Sequence, residues 1–389
     1  MNTLSFPAFL KKIAASRGVS ACFAAFSGRQ FPLEIDAAEG ALGALLMASF
    51  YNIRPGTFFA VLPTENEAAD LAADLEISGI PAALFPWWGA MPYREMAPLS
   101  AVFGERTKVL SALVSGSKVL PGGNRGIFVI PERAFLTPLP PPEYIKKLLI
   151  TVKPGGSIDT VTLAETMVRY GYTRVPKVQL HGEFALRGEV LDLLMGGDEE
   201  AYRILFDFDR VESIKRFNPL DQSGQDRVEE LIIRPLKEVV WTEDRIRVLG
   251  ANLAAFEEFT ENGKALLEDL ETRRETGGEE LLFPLAFEKP ATILDYLDKD
   301  EGTVFYPDRE RLENAQESLD REYQSLYRKI CREKTVRPSD FREVPAPGRI
   351  LLHFKDLARQ VPRRLSFMTI KGGGEKEAVR LSVACDPPR

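Results

Sequence analysis

The chain has 389 residues, 44% of them apolar and 28% charged, and a net charge of −7 at neutral pH. That length suits two or three globular domains, and the acidic balance argues against broad non-specific binding to nucleic acid, which needs Lys and Arg against phosphates. Three scattered cysteines (Cys22, Cys331, Cys385) and two histidines (His181, His353) give no disulfide framework and leave a zinc site almost without ligands, so no metal is expected.

The first 18 residues hold no long apolar core behind their basic residues, and no run of 18 apolar residues follows. Neither a signal peptide nor a membrane span is expected, and the predicted location is cytoplasmic. Residues 1 to about 136 alternate between strand and helix patterns. Uniformly apolar runs at 22–26, 58–62, 82–85 and 127–130 predict strands covered on both faces. Between them, Thr64 and Glu67 have the spacing of a capping box, Leu71 and Leu75 continue an apolar stripe, and Gly79 can close the helix. The fold class is therefore α/β with a parallel sheet.

In such a sheet a phosphate cradle needs GxxxxGK[ST], with glycines for close backbone approach, a lysine for the β/γ charge and a hydroxyl for magnesium. Residues 38–45 read AEGALGAL at the start of the second helix, so Gly43 and Ala44 stand where the lysine and the hydroxyl belong. Glu39 adds a repulsive charge. An ordinary helix start is the expected reading, with no cofactor. The aromatic stretch 85–98, FPWWGAMPYREMAP, has few basic residues, so a buried turn is expected rather than a base-stacking platform.

The proline-rich run TPLPPP at 137–142 predicts a joint. A strand at 148–152 and a helix at 157–170 follow. That helix is expected to pack through Val161, Ala164, Met167 and Val168 and to stop at Gly171. Residues 181–219, HGEFALRGEVLDLLMGGDEEAYRILFDFDRVESIKRFNP, alternate with a period of two and break at Gly188 and at Gly196 with Gly197. They predict an antiparallel meander of three or four strands. Tyr202, Ile204, Phe206 and Phe208 would share one face, and Arg203, Leu205, Asp207 and Asp209 the other. His181 is expected to be structural or incidental, and Asp192 to have a turn or surface role.

This meander resembles domain 2 of the bacterial excision-repair protein UvrB and of the amino-terminal UvrB-like module of the transcription-repair coupling factor. In both relatives the domain docks the damage sensor UvrA. The resemblance assigns Arg187 and Arg203 to UvrA binding, through forks that pair with carboxylates. The bland alternative is two surface arginines neutralised by Glu183, Glu189 or Asp209. Asp207 stands where the coupling factor usually has Phe, and Phe206 and Phe208 are expected to face away from it. The short path after Phe85 leaves no room for the DNA-clamping hairpin of UvrB and is similar to the short connection of the coupling factor.

Beyond Trp241, Ile246, Leu249, Leu253 and Phe256 predict a helix, and residues 290–297 and 302–309 predict a helix and then a strand. UvrB holds the acidic pair of its ATPase site at the similar place. Here Asp308 is followed by Arg309. Residues 309–334 predict a charged helix with Leu312, Leu319, Tyr323 and Leu326 inward. A strand at 350–354 and a hairpin around residues 372–374, flanked by 367–370 and 379–383, complete the chain.

The reading is a degenerate RecA/helicase-like parallel sheet domain with an inserted small α+β domain, divided at 1–144, 145–236 and 237–389. By resemblance it implies a non-catalytic module that recruits UvrA in transcription-coupled repair. RNA polymerase and DNA would be bound through regions not present here. The alternatives are an active UvrB-like ATPase clamping damaged DNA, or a structural or autoinhibitory domain without an external partner.

Overall fold

The computed structural model describes residues 16–383 except 37, 39, 90–91, 94–99, 117–119, 121, 225, 256–260, 337–343 and 369–377, with the side chains of residues 100, 261–262 and 334–336 also set aside. The expectations for most of the first 18 residues, for Glu39, Phe256 and Cys385, and for the turn at 372–374 lie outside the described residues. Among the described residues no helix is long and apolar enough to cross a membrane.

Seven strands form one parallel sheet: β1 (Leu33–Asp36), β2 (Thr57–Leu62), β3 (Ala82–Leu84), β4 (Gly126–Pro131), β12 (Thr303–Tyr306), β13 (Arg364–Met368) and β14 (Val379–Ser382), in the order β14-β1-β13-β12-β2-β4-β3. The interior strands are apolar on both faces because helices cover both. Phe58 and Ala60 of β2 join Ile127 and Val129 of β4 beneath helices Arg17–Ser27, Gly40–Ile53 and Glu65–Ile77. Phe59 and Val61 join Phe128 and Ile130 beneath helices Ser100–Ser115 and Arg309–Val336. Thr64 caps the helix Glu65–Ile77 through the Glu67 N–H at 3.2 Å, as its spacing predicts.

Four local expectations are corrected. Residues 22–26 are not a strand but lie within helix Arg17–Ser27, where Val19, Cys22, Ala25 and Phe26 bury one face. Short apolar runs do not separate the two periods, and the true strand is LEID at β1, whose Glu34 pairs with Arg380 at 2.9 Å. Residues 379–383 do not form a hairpin with β13: both β13 and β14 pair parallel to β1, which lies between them. Residues 350–354 are not a strand but the junction of helical segments Pro347–Ile350 and Phe354–Gln360, the first carrying proline at its opening position. Residues 290–297 shrink to a single 3-10 turn, Ile293–Tyr296, held by a Thr292–Asp295 capping box.

Between β4 and β12 the chain leaves the parallel sheet. A pair, β5 (Ile150–Val152) and β11 (Leu231–Ile233), flanks a second, five-stranded sheet of β6 (Thr173–Arg174), β7 (Glu183–Arg187), β8 (Val190–Leu194), β9 (Ala201–Asp207) and β10 (Arg210–Phe217). The last four form the expected antiparallel meander. The α/β class and the added antiparallel sheet are thus as the sequence implies. Helix Thr160–Arg169 covers one face through Leu163, Ala164 and Met167. Val161 and Val168 point to solvent instead. The helix has two candidate apolar stripes, and the one carrying Leu and Met wins burial because it removes more apolar area from water.

Three features join this part of the chain to the larger sheet. Gly196 lies against Gly104 of helix Ser100–Ser115, so closely that a Cβ on Gly196 would come 2.6 Å from Gly104 Cα. Beside this seam Asp198 accepts Lys108 at 3.0 Å and Arg234 at 2.9 Å. Arg234, almost wholly buried, also donates to the Gly196 carbonyl at 2.7 Å. Behind them Arg106 and Glu238 form a buried, two-pronged ion pair, with Trp88 Nε1 donating to the same carboxylate at 3.0 Å. Phe85, Trp87, Trp88 and Tyr93 are all buried, as expected of the aromatic turn.

Glu132, directly after β4, is fully buried, and neither carboxylate oxygen has a hydrogen-bond partner. Burial pushes its pKa up to about 8, with Arg133 opposing and Asp320 assisting. A folded-state value raised from 4.5 contributes stability that is complete below 4.5 and is lost as pH rises through about 8. Urea denaturation should therefore show stability falling across that window, by at most about 1.4 kcal/mol per pH unit. Glu132→Gln should flatten this term, and an unchanged slope in the variant would contradict the assignment.

Candidate partner-docking site

The meander has one packed face and one partly open face, set by strand alternation. Phe184, Leu191, Leu193, Ile204, Phe206, Val211 and Ile214 go to the packed side. On the open side, Asp192 of β8 faces Arg203 of β9 across the ladder, and Arg187 of β7 lies one row further along, opposite Val190.

Asp192 is 2% exposed and accepts both arginines: Arg203 Nε at 2.7 Å and Nη2 at 2.9 Å, and Arg187 Nη2 at 2.6 Å. A turn or surface role is thereby corrected. The residue sits mid-strand, and its charge tolerates burial because two guanidinium groups, one of them bidentate, satisfy it. The expected neutralisers Glu183, Glu189 and Asp209 do not do this. Glu183 instead accepts the backbone N–H groups of Gln179 and Leu180, each at 2.8 Å.

Arg203 is held on further sides. Its guanidinium stacks 4.6 Å from the Phe217 ring centroid, and Nη2 also donates to Gln222 Oε1 at 3.0 Å. The bond to Asp192 raises its pKa above the ordinary arginine value against the opposing effect of burial. Arg187 is the looser of the two, with half its side chain exposed and only Nη2 engaged. Two cations on one carboxylate leave a net positive charge of one. Arg187 Nε and Nη1 are directed at no acceptor among the described residues. A second carboxylate, offered from outside, has unspent guanidinium N–H groups to meet.

Asp207 does not join this cluster. It closes β9 as an exposed residue, four positions from Arg203 and so about 13 Å along the strand. Phe208 does not share the packed face with Phe206: it opens the turn into β10 with φ +54° and is 82% exposed. His181 Nε2 lies 2.8 Å from the Asp198 carbonyl, a structural placement.

The sequence reading missed Asp192, Phe217 and Gln222. Asp192 was detectable: an acid amid the apolar run VLDLL must find a partner if that strand is buried, and register places an arginine opposite. Gln222 comes from a loop, in a left-handed conformation with φ +62°, and no periodicity announces it. Among the described residues no cluster of His, Cys, Asp and Glu is suited to a metal ion.

A family model, the UvrB interaction domain, matches residues 150–238. Transcription-repair-coupling factors are similar to the chain: that of Haemophilus influenzae is 27% identical over 331 residues, covering 84% of this chain and 28% of the relative. That of Borreliella burgdorferi is 27% identical over 233 residues, 60% of this chain and 20% of the relative, and that of Mycobacterium bovis 31% over 228 residues, 58% and 18%. The chain thus spans less than a third of the length of these relatives. From the fold, the meander and these matches, residues 150–238 are similar to the UvrB interaction domain, and the chain resembles the amino-terminal UvrB-like module of transcription-repair-coupling factors.

Proposed function

We propose that the chain is a non-catalytic adaptor whose open meander face, built on Arg187, Asp192 and Arg203, docks UvrA in transcription-coupled excision repair. The single observation that carries this reading is the buried Asp192, which holds the braced Arg203 and the half-exposed Arg187 together inside the segment that matches the UvrB interaction domain. Pre-organised guanidinium forks lose little freedom on binding and are favoured at interface hot spots. In a full-length setting RNA polymerase and DNA would be served by regions outside this chain. The direct test is co-elution of purified chain and UvrA from a size-exclusion column without nucleotide, which separate elution at micromolar concentrations would contradict.

Two features of the larger sheet support the absence of ATP chemistry. Gly43, at the lysine position of a phosphate cradle, is packed so that a Cβ there would lie 2.9 Å from the Ala38 carbonyl and 3.1 Å from the Phe367 ring. Any side chain placed there would first have to displace those atoms. Asp308, the remaining acid after β12, caps helix Arg309–Val336 through the Arg311 N–H at 3.0 Å. Arg311 in turn binds Glu67 at 2.7 Å across the carboxyl edge of the sheet, the edge where open α/β sheets take their ligands. Calorimetric titration with ATP and magnesium should give no saturating heat, and saturation at micromolar ATP would restore the ATPase reading.

A further inference from the structure

We infer that Phe208 is the apolar anchor of the docking face, inserted into an apolar slot on the partner beside the carboxylate that Arg187 engages. This deepens the proposed docking of UvrA and rests on it. The turn between β9 and β10 begins at Phe208 with φ +54°, a conformation that bulky L residues rarely adopt and that glycine or asparagine would hold more easily. At the same residue the ring is 82% exposed, the only aromatic among the exposed large hydrophobic side chains of the described residues. Strain and exposure both disfavour phenylalanine here, and among the described residues no aromatic or cationic side chain packs on the ring. An aromatic at such a position gains its burial from outside.

The surroundings fit the same partner. Phe206 N–H donates to the Glu189 carbonyl at 2.8 Å, so the β7–β8 turn next to Arg187 lies at the same end of the sheet as Phe208. Val190 and Leu205, paired in the ladder and half-buried, continue the apolar surface alongside Arg187. Asp207 and Asp209 flank the ring and are exposed. The complementary surface is therefore an apolar slot with a carboxylate on the Arg187 side and basic residues on its rim.

The test uses the full chain and purified UvrA, with Phe208→Gly and Phe208→Ala compared with Arg203→Ala by calorimetry. Phe208→Gly removes the ring and relieves the backbone, so its melting temperature should stay at or above that of the unsubstituted chain. Its affinity should fall about tenfold or more. Wild-type affinity in both Phe208 variants, with loss in Arg203→Ala, would overturn the anchor while leaving the docking face intact. Wild-type affinity in all three would overturn the docking reading itself. A lowered melting temperature in Phe208→Gly would make the ring structural and also overturn the anchor.

Discussion

Glu238→Ala should lower the unfolding free energy by about 3–5 kcal/mol, the range expected when one partner of a buried ion pair is removed. Arg106 is wholly buried in helix Ser100–Ser115, and its guanidinium lies 4.2 Å from the Phe85 ring centroid and 5.0 Å from that of Trp88. Without Glu238 that cation retains only the Pro86 carbonyl, at 2.5 Å, as a hydrogen-bond acceptor beside the two rings, and Trp88 Nε1 loses its acceptor. The loss should appear in urea denaturation as a lower midpoint. Arg106→Met combined with Glu238→Leu should recover part of it, because no charge is then stranded, although Trp88 still lacks an acceptor. A change within about 0.5 kcal/mol for Glu238→Ala would show that the pair does not hold the two sheets together. The position matters because Glu238 lies just beyond β11, where the chain returns from the meander toward the larger sheet.

Arg203→Ala should weaken UvrA binding by about 2 kcal/mol, roughly thirtyfold, as truncation of an interface hot spot does. Arg203 supplies the bidentate half of the Asp192 cluster and is braced by Phe217 and Gln222, so its removal frees Arg187 as well. Arg203→Lys should recover little, since an ammonium is not a planar fork. Arg187→Ala should cost less than Arg203→Ala in folding, because Asp192 keeps its bidentate partner, yet should still reduce affinity through the freer guanidinium.

How much of this was legible in the sequence follows from what each segment had to bury. β2 and β4 are covered on both faces and announce themselves as apolar runs; the meander is covered on one and announces itself by alternation. β1, near one edge of the large sheet, mixes apolar and polar residues and could not be told from loop, whereas β14 is legible as a strand at 379–383 and only its partner differs, β1 in place of β13. The strand misread at 22–26 and the valines misassigned on Thr160–Arg169 share a cause: a short apolar pattern is compatible with two faces, and only the rest of the fold chooses between them. Arg187 and Arg203 were named from a resemblance. Their common partner Asp192 was not, because a paired buried acid and a surface acid look alike until register is known.

The proposed docking requires the Asp192-held arginines to be the surface that a protein partner takes. Calorimetric titration of UvrA into the chain, into Arg187→Ala and into Arg203→Ala tests this most directly, with melting temperatures measured on all three. Saturable binding by the unsubstituted chain and at least tenfold weaker binding by each folded variant is the predicted result; equal affinity across the three would contradict it.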